Sequence, residues 1–307
     1  MILHWMSLWE SLRGCDPNSM KIVEIDQGNM DVLSGLAPED IMENLSRTWY
    51  RGLVLKNDGD ERIQAAFVYE FKNADRDDKG TEAEIVWAYG DGEEVYKPLL
   101  EAYKEQMSDQ EAVRSFFEFP DDEEHEDICS CLSEEGFKTL KGESRDVYVT
   151  VSDLTGIRLS KKEPPFYIKS LGELSARQYR NGIVDCLFQD RRGILEDLAW
   201  ISMDWFEPDI SSCIVMDEKA KGFLLVHKTE SGILTVELFF AFSIDATKDL
   251  VELIKYTVQA ATKKYPPETK VLLRRHNDLV RALVEKLFPG TRGEKAIQGE
   301  RKEGRQE

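Results

Sequence analysis

The stretch WAYGDGEEVYKPLL, Trp87–Leu100, decides how this chain is read. It leaves an apolar segment, AEIVWAY, passes a turn with two glycines, and enters a segment whose Leu99, Leu100, Tyr103 and Met107 recur at helical spacing. That is a strand, a loop and a helix. Glycines at such a junction let the backbone approach an anion, and the free amides at the positive helix end are its donors. Yet Asp91, Glu93 and Glu94 put negative charge in the same place. Pro98 adds a second conflict. If the helix starts at Glu93, a proline in its second turn removes a hydrogen bond and costs about 3 kcal/mol. A start at Pro98 relieves that strain but moves the helix end away from the glycines. The loop keeps the glycines of an anion site and has lost its electrostatics.

Around this loop, 307 residues make room for two domains. The net charge of −19 is uneven: residues 20–153 hold 34 acidic and 14 basic side chains, and residues 154–307 hold 23 and 25. Such an acidic first half repels a phosphate backbone, so nucleic acid is not an expected partner. It suits a cationic partner or substrate, or serves solubility alone. No apolar run approaches the ~20 residues of a membrane span. Residues 1–19 lack the basic start of a secretory signal, and Met20 opens MKIVEID like a first strand, so 1–19 is expected to be an extension, either frayed or not native. Five cysteines without framework spacing point to a reducing, cytoplasmic setting. Nothing in the sequence indicates an oligomeric state.

The two halves repeat one order of elements. In the first, KIVEI is a strand, Asp31–Ser46 is helical, and WYRGLVLKN and RIQAAFVYEFK form a hairpin across DGDE. AEIVWAY, the loop and its helix follow, then the strand VRSFFEF, the helix EDICSCLSEEGF and a closing strand, RDVYVTVSDL. In the second, PFYIKSL is a strand, ARQYRNGIVDCLF and GILEDLAWIS are helical, and SSCIVMDEKAKGFLLVHK is a hairpin. ILTVELFFAFS is a long strand, TKDLVELIKYTVQAATKKY a helix with Leu250, Leu253, Ile254 and Val258 on one stripe, KVLLRRHN a strand and DLVRALVEKLF a helix. The linker falls near RLSKKEPPF. Residues 291–307 read as a charged tail without structure, so the second copy is expected to lack a closing strand.

This order resembles that of the GNAT acetyltransferases. Two stretches carry the resemblance to residues. NDLVRALVEKLFPG has Asn277 seven positions before Val284, then Glu285, Lys286 and Leu287, similar to the family's Asn, six residues, Tyr-Glu-Lys-Leu-Gly-Phe. HEDICSCLSEEGF has the same frame, with His125 in the Asn position, Leu132 in the Tyr position and Gly136–Phe137 at its end. Gly90 and Gly92 take the place of the glycines in the family's Gln/Arg-x-x-Gly-x-Gly/Ala turn. The resemblance implies an α/β fold of mixed sheets in two tandem GNAT-like acyl-CoA N-acyltransferase domains, at 20–155 and 164–290.

It also implies acetyl-CoA as cosubstrate and a small-molecule or peptide amine as acceptor. In the first half, Gly90 and Gly92 would meet the pyrophosphate. In the second, Asp245-Ala246-Thr247 replaces the glycines, and Ser243, Ala246, Thr247, Lys248 and Asn277 are the cofactor candidates, with Arg274, Arg275 and His276 ending the neighbouring strand. The other reading is Asp245 as an N-cap and the arginines as a solvated strand end. The last-helix tyrosine acid is absent from both halves. Glu237 is the candidate general base and Glu84 its expected counterpart; a carboxylate beside an apolar strand has a raised pKa, unless it lies on the polar face. Trp205 and Phe206 are candidate acceptor contacts. His125 and Cys129 are too few for a zinc site, so no metal is expected. A non-catalytic tandem pair acting in binding or assembly is the alternative that the missing tyrosines and glycines support.

Overall fold

The computed structural model describes residues 20–57, 62–73, 80–157, 163–188, 198, 201–242, 245–275 and 278–303. They form two compact units. The first extends to Gly142 and resumes at Ala296; the second runs over Glu143–Lys295.

In the first unit, β1 (Met20–Ile25), a 3-10 turn at Met30–Leu33 and α1 (Glu39–Leu45) lead into β2 (Tyr50–Asn57), β3 (Ile63–Asn73) and β4 (Thr81–Gly90). Then come α2 (Glu93–Asp109), β5 (Ala112–Pro120), α3 (Glu126–Glu134) and β6 (Lys138–Glu143). In the second, β7 (Asp146–Thr150), α4 (Val151–Thr155), β8 (Ile168–Ser170), α5 (Ala176–Phe188) and a 3-10 turn at Met203–Trp205 precede β9 (Ser212–Met216), β10 (Lys219–Lys228) and β11 (Leu234–Ala241). Next are α6 (Ala246–Lys264), β12 (Lys270–Arg274) and α7 (Asp278–Leu287), and β13 (Lys295–Lys302) ends the order.

The sheets run β1-β2-β3-β4-β5-β13-β6 and β8-β9-β10-β11-β12-β7. This corrects two expectations. The tail 291–307 carries a strand: β13 pairs antiparallel with β5, from Ala296 opposite Pro120 to Lys302 opposite Arg114. The second sheet does not lack a closing strand either. β7, expected to close the first, pairs antiparallel with β12, from Lys270–Thr150 to Arg274–Asp146. Each half thus gives its last strand to the other half's sheet.

Two side-chain layers cover each sheet. In the first unit, the α2 stripe expected from spacing is fully buried, and Tyr96 joins it. The helix starts at Glu93, so Pro98 lies inside it. Burying a large apolar side chain contributes roughly 1.5–3 kcal/mol, so Leu99, Leu100, Tyr103 and Met107 together outweigh the ~3 kcal/mol cost of the proline. In the second unit, Leu253, Ile254 and Ala261 of α6 pack with Val147 and Val149 of β7 on one face. Tyr179, Ile183 and Cys186 of α5 pack with Phe206, Phe223 and Leu225 on the other.

Candidate functional site

Both units open their sheet at the same place. β4 pairs in parallel with β5 only as far as Ile85–Phe117, although β4 runs on to Gly90. β11 pairs in parallel with β12 only at Leu234–Val271 and Thr235–Leu272, although β11 runs on to Ala241. At that point each strand carries a bulge against its antiparallel neighbour. Val68 opposes Trp87 and Tyr69 opposes Ile85, leaving Val86 as the extra residue. Leu225 opposes Leu238 and Val226 opposes Val236, leaving Glu237. A bulge re-aims the chain and ends regular pairing, so each splayed strand delivers its C-terminal end to a helix N-terminus.

The two loops end differently. In the first unit Gly92 is the N-cap of α2, with φ of 91°, in the left-handed region that favours glycine. A Cβ at Gly90 would lie 2.9 Å from Ala65 Cβ and 3.0 Å from Tyr96 Cζ, so that position also needs glycine. The Gly92 amide, however, donates to Asp127 Oδ2 of α3 at 2.8 Å. Tyr96 donates its hydroxyl to the Gly90 carbonyl at 3.1 Å. Burial pushes the Tyr96 phenol up, and the carboxylates of Asp127, Asp91 and Glu124 push the same way. In the second unit, Asp245 stands at the N-cap of α6 but makes no side-chain hydrogen bond to the helix. Thr247 and Lys248 are exposed in its first turn. Asp249 behind them is buried and accepts from the Tyr167 hydroxyl at 3.0 Å. Burial and that hydrogen bond push Tyr167 up to about 12. Ser243, His276 and Asn277 lie outside the described residues.

Solved structures share this architecture. A tandem GNAT protein from the clavulanic acid biosynthesis pathway superposes with a TM-score of 0.57 at 10% identity, over 94% of this chain and 100% of that one. The chain has the GNAT fold twice over. A GCN5-related N-acetyltransferase from Sphaerobacter thermophilus gives 0.50 at 10% identity, over 94% and 96% of the two chains. One from Anabaena variabilis ATCC 29413 gives 0.50 at 14%, over 93% and 73%. At such identities the likeness is one of fold. No family model matches the sequence, and no curated protein matches it.

Within the GNAT frame the bulges set the correspondence of the two copies, and this corrects one expectation. Glu237 matches Val86, not Glu84; Glu84 matches Thr235, two residues before the bulge. Glu84 is buried, opposite the buried Glu70 on β3, and both make further contacts. Glu237 is half-buried. Arg275, which one of the two readings placed at a solvated strand end, is buried; it donates to the backbone carbonyls of Arg145, at 3.2 Å, and Ser144. The last-helix positions of the family's tyrosine, Leu132 and Val284, are both packed in core.

Sequence reading missed two groups. Asp127 is one; its position as the second residue of α3 and the last of the acidic run DDEEHED was the only signal. His227 is the other. It is nine-tenths buried, stacks on Trp205 with centroids 3.8 Å apart, and contacts the Trp205 carbonyl through Nδ1 at 2.6 Å. A carbonyl only accepts, so Nδ1 carries the proton. The signal was the dipeptide that recurs as Trp49-Tyr50 and Trp205-Phe206: Tyr50 opposes Glu70, and Phe206 opposes His227. Phe206 is core, whereas Trp205 is only partly buried. Among the described residues, no group of three or more His, Cys, Asp or Glu is placed to hold a metal ion. No described helix is long and apolar enough to cross a membrane.

Proposed function

We propose that the protein is a cytoplasmic acetyl-CoA-dependent N-acetyltransferase whose second unit, centred on 164–290, binds the cosubstrate, and whose acceptor is a cationic amine, small or peptidic. The observation that carries this reading is the contrast between the helix ends. At α6 the N-cap side chain makes no hydrogen bond to the helix, at the end of a splayed, bulged strand. At α2 a carboxylate already takes the loop amide.

Amides at a helix N-terminus, the Lys248 ammonium and the Thr247 hydroxyl form a donor set suited to phosphate, and the small Ala246 leaves room for it. Ser243 and Asn277 join this set by their positions in the family pattern. Acetyl-CoA supplies an acetyl group activated as a thioester. Glu237 would accept a proton from the acceptor ammonium, directly or through a water, leaving the nitrogen lone pair free to attack the thioester carbonyl; the new C–N bond replaces the C–S bond, and CoA leaves as a thiolate that takes up the remaining amine proton. Such a positioned base contributes roughly 10²- to 10⁴-fold. The net charge of −19 favours a cationic acceptor.

Calorimetric titration with acetyl-CoA tests the reading, followed by an amine screen. Saturable binding weakened by Lys248→Ala and Asn277→Ala is expected. Glu237→Gln should leave that binding intact and lower turnover by about 10²-fold or more. Binding unaffected by both substitutions in the second unit would refute the assignment. A second reading rests on Leu132 and Val284, core residues in both positions where the family has its tyrosine acid. In it the pair is a non-catalytic binding or assembly protein, and it is favoured if no amine is acetylated.

A further inference from the structure

Three side-chain contacts among the described residues hold the Gly90–Glu93 turn of the first unit, two of them from α3. Asp127, the second residue of α3, brings its Oδ2 to 2.8 Å from the Gly92 amide nitrogen. Cys131, one turn along the same helix, donates its thiol to the Glu93 carbonyl at 3.4 Å. From α2 itself, Tyr96 donates to the Gly90 carbonyl. The turn is therefore tied to α3 on its donor and its acceptor side. A carboxylate oxygen on an amide at a helix N-terminus occupies the bonding direction that an external phosphate oxygen needs.

We infer that Asp127 is an internal anion that closes the first unit to phosphate-bearing ligands, an autoinhibitory contact built into the fold. The other carboxylates of the loop act more weakly. Asp91 and Glu94 are exposed and Glu93 half-buried, and the repulsion they exert on an approaching anion is screened within about 8 Å at physiological salt. Asp127 removes the donor itself. The inference concerns the first unit alone and stands whether or not the second unit transfers acetyl groups.

The test uses the full-length, nitrogen-15-labelled protein, titrated with inorganic pyrophosphate and followed at the Gly92 amide resonance. In the wild type that resonance is expected to stay in place. In Asp127→Ala it should move saturably, with an affinity roughly ten- to hundred-fold above any wild-type response, as expected for loss of one competing charged hydrogen bond. Asp127→Asn keeps the acceptor without the charge and should fall between. Unchanged amide positions elsewhere in the first unit verify that each variant is folded, and the α6 amides report the second unit separately. The inference is overturned if wild type and Asp127→Ala bind pyrophosphate at Gly92 with the same affinity. It is equally overturned if a folded Asp127→Ala, with Asp127→Asn beside it, leaves Gly92 unresponsive.

Discussion

Gly299→Ala tests the strand exchange most directly. Gly299 lies in the middle of β13, opposite Phe117 of β5. A Cβ built there would come within 2.1 Å of Phe117 Cε1 and 2.7 Å of its Cζ. The ring cannot swing away cheaply: it is fully buried, stacked against Phe119 and edge-on to Phe137, each with centroids 5.5 Å away. The strand must therefore move, and overpacking of this kind costs about 1–3 kcal/mol. At about 2–4 °C per kcal/mol for a unit of this size, the melting temperature should fall by roughly 2–12 °C. Thermal unfolding followed by near-ultraviolet circular dichroism reads that shift. Because a smaller residue removes the clash, the Phe117→Leu background should absorb most of it. The double-mutant cycle should then show a coupling of about 1 kcal/mol or more. Additive effects, or an unchanged melting temperature for Gly299→Ala, would mean that β13 does not lie over Phe117 and that the tail is not part of the first sheet.

Two further outcomes follow from groups away from the loops. Burial pushes the Glu207 carboxyl up, but hydrogen bonds from Lys264 and Tyr265 and the Lys264 charge bring it below its ordinary value. A lowered folded pKa contributes stability that is present above the ordinary glutamate value of 4.5 and is lost as pH falls through the folded value. Unfolding midpoints measured from pH 6 down to about pH 3 should therefore drop more steeply in the wild type than in Glu207→Gln, and parallel profiles would contradict this. Burial likewise pushes the thiols of Cys129 and Cys131 up, to about 12 and about 11, and that of Cys213 further. At pH 8 a thiol reagent should leave Cys129, Cys131, Cys186 and Cys213 unlabelled in the native protein, and label them once denaturant is added.

The repeat was legible because it is written in periodicity. The apolar positions of α2 and α6 recur at helical spacing, and the hairpins are marked by their turns, so element order and helix faces follow from local pattern. The exchange of β7 and β13 is not local. Val147 and Val149 alternate with less buried neighbours and suit an edge of either sheet, while Lys295–Lys302 offers only Ala296 and Ile297 as apolar residues and owes its place to Gly299 lying over Phe117. The bulge at Glu237 is hidden for a related reason. In ILTVELFFAFS both faces are largely apolar, so one extra residue changes no visible alternation. Asp127 reaches Gly92 across 35 residues of sequence, and no spacing rule reports such a contact.

Alignment of the copies by their bulges explains why two acidic strands have come to mean different things. In the first unit the second row before the bulge holds Tyr50, Glu70 and Glu84; in the second unit it holds Phe206, His227 and Thr235. A carboxylate stands at the bulge itself only in the second, as Glu237, where the first has Val86. Three acids of the first unit are thus drawn into its framework: Glu70 and Glu84 are buried in the sheet, and Asp127 is bonded to the loop. Buried carboxylates require partners, because an uncompensated charge away from water is costly, and a group so engaged is poorly disposed to exchange protons or ligands. The second unit, near neutrality, carries a half-buried carboxylate, Glu237, at the opening of its sheet, and a helix N-cap, Asp245, whose side chain makes no hydrogen bond to its helix.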